Sequence, residues 1–368
     1  VIMNPFNLFA KTRFGSWLIR EFGKIDTSEY EDLDEIAKKR GLSEYTRLYY
    51  DEQVKFCFTI KKFLILSGGF EVLPAREGDR DAREKRDFIV DCFENTERSF
   101  TSILFSMLSA LDYGYSVSEL IFVPDGSRFR LRNIKTKFPQ DFSFQYDEYG
   151  NLIALLCLEE EVPLEKFVVY SYMSRFGQYE GESDLKAVYN PVWTKDKLIK
   201  FWLRYLERYG APIVKGSVPK DAKKDEIEKF ENAMKRIHNI TAITLPQSED
   251  GRGFDFELVE PKREGGSQFK EAVDKADERI ARGALIPSLF GAQKVGYGSY
   301  ALGELQFDVV YQFLKAIGDN FADEAINRQV IRRLIDINFG GGNYPIFRIK
   351  PIVKEFVESY RKTIQGSA

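Results

Sequence analysis

Between Leu302 and Leu334, apolar residues fall on a single helical stripe: Leu302, Leu305, Val309, Phe313, Ile317, Phe321, Ile326, Val330 and Leu334. The spacing predicts one very long helix, Tyr300 to roughly Ile337, which would span roughly 55 Å if straight. Gly318 is a place where it can bend. Gly340-Gly341-Gly342 end it. A helix of that length sets the scale of the fold.

The stretch just before this helix, GAQKVGYGSYALGE (Gly291–Glu304), holds four glycines, one lysine and two tyrosines. Glycine-rich loops that open a helix often cradle phosphate. A phosphate-binding loop of the G-x-x-x-x-G-K-[ST] type needs its lysine at the helix start. Here Lys294 precedes the glycines, and the only Gly-Lys pair, Gly23-Lys24, is followed by Ile25. A dinucleotide fingerprint needs G-x-G-x-x-G after a strand. The glycines at 296, 298 and 303 have other spacing, and the predicted element before them is a helix, Gln268–Ala284. Two readings remain. One is a plain helix–helix connector with Ser299 as N-cap. The other is a mobile backbone whose single lysine touches a polyanion weakly, since few phosphate contacts per subunit are easily broken.

Upstream, Val54, Phe58 and Ile65, with Cys57 adjacent, predict a helix within Tyr49–Leu66, broken by Ser67-Gly68-Gly69. FEVLP reads as a strand, and Asp81–Asn95 and Ser99–Leu111 as helices, the second ended by Gly114. The period then changes to two. YSVSELIFV, RLRNIKTKF, FSFQYD, LIALLCL and KFVVYSY are strands of a β-rich unit over about 115–173, with a hairpin loop at 147–151. Ser183 or Asp184 caps a helix that Pro191 interrupts, and a second run, Trp193–Tyr209, follows with Leu198, Ile199, Trp202, Tyr205 and Leu206 as its face. Ala211–Pro261 reads as a small α/β insert: strand PIVKGSV, helix Lys224–His238, strand TAITLP, an Asp250-Gly251 turn and strand FDFELVE. GGS at 265–267 caps the helix Gln268–Ala284, whose charges read as surface ion pairs, Glu271/Lys275 and Glu278/Arg282. A strand, PIFRIKP, and a charged helix, Val353–Ile364, close the chain.

Composition excludes several classes of chemistry. With 368 residues, 43% hydrophobic, the chain can build a large core. A net charge of −3 argues against a protein that grips nucleic acid with its whole surface. Cys57, Cys92 and Cys157 lie in apolar runs without CxxC spacing and read as reduced core thiols. One histidine, His238, nearly excludes a His-based triad or zinc site. The acidic runs Glu31–Glu35 and Glu159–Glu161 read as solvated or hairpin charge. No catalytic residue, metal ligand or cofactor is expected, nor a membrane span, since no run of about 18 apolar residues occurs. The opening VIMNPFNLFAKTRFGSW does not read as a signal peptide. Both chain ends read as trimmed.

The order of elements carries a resemblance. A helix leads out to a small insert, a helix leads back, a glycine loop follows, and then the very long helix. Together with YGYSVSELIF (113–122), PLEKFVVYSY (163–172), GESDLKAVYNPVW (181–193), ERYGAPIVKG (207–216), TAITLP (241–246), ELVEPKREGGSQFKEAVDKADERIARGALIPSLFG (257–291) and GSYALGELQFDVVYQFLKAIGDNF (298–321), this order resembles the portal proteins of tailed bacteriophages, most closely the Mu-type branch. The resemblance covers about Tyr49 to Pro351.

The resemblance implies an α+β portal fold. It would have an N-terminal peripheral segment (1–48), an α/β wing (49–182), stem helix 1 (183–210), a clip (211–261), stem helix 2 (262–287), a tunnel loop (288–299), a long helix with wing return (300–352), and a short or truncated crown (353–368). It implies a ring, twelve-fold in the virion, at one capsid vertex, made in the bacterial host cytoplasm and not itself an ATPase. Double-stranded DNA would pass through it, transiently and without sequence preference. Its other partners would be the large terminase ATPase, a head-completion or adaptor protein, and the major capsid or scaffold protein. Gln293, Lys294, Val295, Gly296, Tyr297, Gly298 and Ser299 would face DNA, with Lys294 on phosphate, and Lys220, Lys223 and Lys224 would face the motor. Two other classes stay open: a non-channel head–tail scaffold, which would not need the glycine loop, and a nucleic-acid-processing enzyme, which would need a metal site that the sequence does not offer.

Overall fold

The computed structural model describes residues 41–209, 213–219, 222–236, 253–259, 265–286 and 300–350. The described chain opens with α1 (Ser43–Leu48) and α2 (Glu52–Leu66). Asp51 caps α2, its Oδ1 accepting from the backbone N–H of Gln53 (2.9 Å) and Val54 (3.1 Å). The expected stripe of α2 is buried, with Cys57 beside it. After β1 (Phe70–Leu73) come α3 (Arg80–Glu94) and α4 (Phe100–Met107), capped by Asp79 and Ser99. The single helix expected to Leu111 is two: the chain turns at Leu108 and resumes as α5 (Ala110–Tyr113). Met107, Leu108, Ala110 and Leu111 are all fully buried through this turn.

Six strands follow: β2 (Tyr115–Asp125), β3 (Arg128–Thr136), β4 (Phe142–Tyr146), β5 (Leu152–Cys157), β6 (Glu160–Val162) and β7 (Phe167–Ser171). They form two antiparallel sheets, ordered β3-β2-β7 and β4-β5-β6. The strand β6 was not expected. Its glutamates are exposed hairpin charges, as read, but Glu160 and Glu161 also sit opposite Cys157 and Leu156 in the ladder.

Next is α6 (Leu185–Tyr209), a single 25-residue helix with Pro191 inside it, so the expected interruption does not occur. Proline cannot donate to the carbonyl four residues back. That carbonyl, on Ala187, lies against the neighbouring helix, where a Cβ on Gly283 would come within 3.1 Å of it. Glycine at 283 lets the two helices approach this closely. The insert supplies β8 (Ile213–Ser217), α7 (Lys224–Arg236) and β9 (Asp255–Val259), with β8 and β9 antiparallel and Phe230 of α7 buried. The expected strand TAITLP, the turn at 250–251 and the closing helix lie outside the described residues. The return helix, α8 (Gly265–Gly283), takes the GGS run into its first turn.

The long helix exists but is not uniform. It runs as α9 (Tyr300–Phe321), a ten-residue π-helical segment (Ala322–Ile331) and α10 (Arg332–Phe339), ending at Gly340 in the left-handed region. Three side-chain amides along it explain how it is seated. Asn327 accepts from Phe347 N–H (2.8 Å) and donates to its carbonyl (3.1 Å). Gln329 does the same with Val169 (2.9 and 2.6 Å), and Asn338 with Phe129 (2.7 and 2.9 Å). Phe347 lies on β10 (Ile346–Ile349), which pairs antiparallel with β1. Each amide thus completes an edge strand, β10, β7 or β3, as a neighbouring strand would. The widened π turns present Asn327 and Gln329 to two different sheets from one segment. The main core lies between this helix, α3, α4 and the β3-β2-β7 sheet, with Phe93 stacked on Phe100 at 3.9 Å in its middle.

Candidate functional site

The site is built on α6 and α8, which pack antiparallel. Lys195 pairs with Asp277 (2.7 Å) and Tyr205 meets Phe269 (5.6 Å between rings), while Leu185 and Val188 share a core with Ile280 and Ala284. At one end the pair carries the insert. At the other it meets the body through α2. On α8 the structure shows Lys275 paired with Glu278 (2.7 Å), a different pair from the two expected, while Asp277 turns inward to Lys195.

Where the pair joins the body, charge is buried. Lys61 is fully enclosed and donates to Asp184 Oδ2 (2.5 Å), with the Tyr172 hydroxyl and the Ala284 carbonyl each at 3.4 Å. Its ammonium also lies 5.1 Å from the Phe313 ring centroid. One side chain of α2 therefore touches the start of α6, the end of α8 and the long helix α9. Lys62, next in sequence, pairs with Asp112 of α5, which also accepts from the Tyr49 hydroxyl (2.6 Å). Lys195 of α6 pairs with Asp51, the cap of α2 (2.9 Å), as well as with Asp277.

Burial dominates the electrostatics. It holds Lys61 below the ordinary lysine range against the pull of Asp184, and it pushes Asp184 and Asp112 above the ordinary carboxylate range against their lysines. Burial also drives the Tyr49 and Tyr172 hydroxyls far upward, helped by Asp112 and Asp184. For Lys195 the balance reverses: burial alone would lower it, but Asp277 and Asp51 outweigh burial and hold it high. Cys57, beside this network, is a buried thiol pushed up to about 11 by desolvation. Nothing here is arranged for proton transfer to a substrate. The arrangement fastens helices together.

Ser183 decides the start of α6. Its Oγ accepts from Leu185 N–H (3.0 Å) and donates to the Asp112 carbonyl, so Ser183 is the cap and Asp184 is free for Lys61. Two glycines bring the segments 113–122 and 181–193 together. Gly114 (φ +89°) and Gly181 (φ +57°) lie back to back, and a Cβ on Gly181 would sit 2.2 Å from the Gly114 carbonyl oxygen and 2.3 Å from that of Tyr172.

Gln293, Lys294, Val295, Gly296, Tyr297, Gly298, Ser299 and Lys220 lie outside the described residues, as does His238. Lys223 and Lys224 are exposed at the start of α7, where Lys223 N–H donates to Glu226 Oε2 (3.0 Å). Among the described residues no group of His, Cys, Asp or Glu could hold a metal ion, and no helix is long and apolar enough to cross a membrane. The buried lysines escaped sequence reading. The available signal was the position of Lys61, which falls on the stripe of Val54, Phe58 and Ile65 where an apolar residue was due.

Residues 42–366 match the family described as the portal protein of Mu bacteriophage. The chain belongs to this portal family. A portal protein is a structural subunit rather than an enzyme, and this one builds the ring that forms the channel at a capsid vertex for DNA packaging. Among solved structures, the portal fold aligns with a chain of the virion of the native gene transfer agent particle (TM-score 0.60, 11% identity, 89% of each chain). It aligns equally with a chain from the neck of the native particle computed with C12 symmetry (TM-score 0.60, 11% identity, 89% of this chain and 90% of that one). An HK97 family phage portal protein from Corynebacterium diphtheriae is also similar (TM-score 0.47, 11% identity, 85% of this chain and 96% of that one). At such identity the two gene transfer agent likenesses show the fold alone. No curated protein matches the portal sequence.

Proposed function

We propose that the portal ring has twelve subunits in the virion and that DNA passes a constriction formed by residues 288–299, with Lys294 touching phosphate. The body over 49–182 and 300–352 is the wing, α6 and α8 are the stem, and the insert over 211–261 is the clip. The clip docks the packaging ATPase, for which Lys220, Lys223 and Lys224 supply surface charge, and later the head-completion protein. The wing faces the capsid or scaffold protein. The subunit is made in the cytoplasm of a bacterial host.

One observation supports the position of the constriction. Because α6 and α8 are antiparallel, the end of α8 returns to the start of α6, where Ala284 and Asp184 share Lys61. The chain therefore leaves α8 at the body end of the stem, opposite the insert, and the next described residue opens the long helix. A glycine-rich connector there can project toward the axis of a ring while its two ends stay anchored. A single lysine per copy keeps each phosphate contact weak, as a moving duplex requires.

Packaging of DNA into procapsids by rings carrying Lys294→Ala, or Gly296→Ala with Gly298→Ala, tests this. Slower packaging or poorer retention of packaged DNA is expected in both. Wild-type packaging in both overturns the assignment of the loop while leaving the ring itself intact.

A further inference from the structure

Helix α2 lies along the base of the stem as a splint, lashed to it at two levels. At one level Asp51, where α2 starts, meets Lys195 of α6, which also holds Asp277 of α8. At the other, Lys61 of α2 meets Asp184, where α6 starts, and the carbonyl of Ala284, where α8 ends. Along α2 the two rungs stand about 15 Å apart, and along α6 about 16 Å, as expected for two helices in antiparallel register. Between them lies an apolar layer of Val54, Cys57, Phe58, Leu185, Val188, Ile280 and Ala281.

The layer and the rungs do different work. An apolar layer tolerates small slides and pivots, because any close packing of Val, Leu, Ile and Ala buries similar area. A buried ion pair does not. A displacement of one residue would leave Lys61 or Asp184 enclosed and unpaired, the costly case for buried charge. The rungs therefore fix the register and the angle at which the stem leaves the body.

In a ring built by one head-to-tail contact, the subunit count follows from the rotation between neighbours. In a ring of about a dozen, gaining or losing one subunit changes that rotation by only about 2–3°. Where neighbouring copies touch through both body and stem, a pivot of that size at the joint between them is enough. We propose that the two ionic rungs, Lys61–Asp184 and Asp51–Lys195–Asp277, are positioning elements that set the number of subunits at which the portal ring closes. The proposal rests on the ring reading and not on the assignment of residues 288–299.

The test is native mass spectrometry of assembled rings, with denaturant unfolding of the same preparations. The variants are Lys61→Met/Asp184→Asn, Lys195→Met/Asp277→Asn and all four together. Near-isosteric neutral pairs retain the fold, so unfolding midpoints close to wild type are expected. Subunit counts should shift or spread over at least two neighbouring values, most in the fourfold variant. Lys195→Arg keeps the charge but lengthens the reach. It serves where a neutral pair does not fold, and it too should shift the count. Folded variants with the wild-type distribution of counts overturn the proposal, as do folded variants that form no ring. A wild-type chain that forms no ring would instead overturn the ring reading.

Discussion

The Lys61–Asp184 pair offers the sharpest quantitative test of how the stem is held. Lys61 is 0% exposed and Asp184 6%, so removing either partner leaves the other enclosed. Lys61→Met leaves Asp184 with the Tyr172 hydroxyl (3.1 Å) as its one remaining side-chain partner among the described residues. Asp184→Asn leaves the ammonium with two 3.4 Å contacts and the Phe313 face. Each single change should cost about 3–5 kcal/mol, the range for breaking a buried pair. The double variant, with no charge to bury, should cost about 1 kcal/mol or less, because the pair's attraction is largely offset by the desolvation it requires. Denaturant unfolding followed by tryptophan fluorescence reads this directly, since Trp193 and Trp202 lie on α6. A Trp17→Phe background removes the third tryptophan. The Lys61→Met loss should also depend on pH in a definite sense. Burial already raises Asp184, so the folded state binds its proton more tightly than the unfolded chain does. The loss is then full above the folded value and shrinks as pH falls through it. Additive single losses, or a double variant as unstable as the worse single, would refute the reasoning.

Gly181→Ala puts a Cβ against two backbone carbonyls, at 2.2 and 2.3 Å, in a left-handed conformation. It should cost about 3–4 kcal/mol or prevent folding, read from soluble yield and the unfolding midpoint. Gln329→Leu leaves the Val169 N–H and carbonyl without their partner, so a loss of about 2–3 kcal/mol is expected. Hydrogen exchange at Val169 should rise while that at Phe347, held by Asn327, does not; equal exchange in variant and wild type counts against the edge-completing role. Lys195 is held above the ordinary lysine value in the folded state. Its stabilisation is therefore fully present below about pH 10 and lost as pH rises through the folded value. The gap in unfolding midpoint between wild type and Lys195→Met should stay constant through neutral pH and close on the alkaline side; a gap independent of pH to the alkaline limit speaks against the pairing.

Periodicity made most of the elements legible. The stripe of α2, the change to period two after Gly114 and the strands β8 and β9 of the insert all follow from local spacing, and spacing survives folding wherever one face is buried. Departures arose where tertiary contact overrode a local rule. Pro191 stays inside α6, a helix packed along its length on α8. The long helix widens into a π segment where Asn327 and Gln329 reach two different sheets. The joint between stem and body was harder to read for a different reason. Sequence reading scores apolar residues on a stripe and treats a lysine there as a gap or as a stem that carries its charge out to water. Whether the charge reaches water depends on residues 123 positions away in the chain. Yet the sequence did hold a trace of the answer. Ser183 and Asp184 were both candidates for one N-cap, and a helix start uses only one. The residue left over was an acid at the edge of an apolar helix, and Lys61 was a base on the apolar stripe of another. Two misplaced charges of opposite sign, each costly to bury alone, are cheapest buried together. That rule pairs them from the sequence alone.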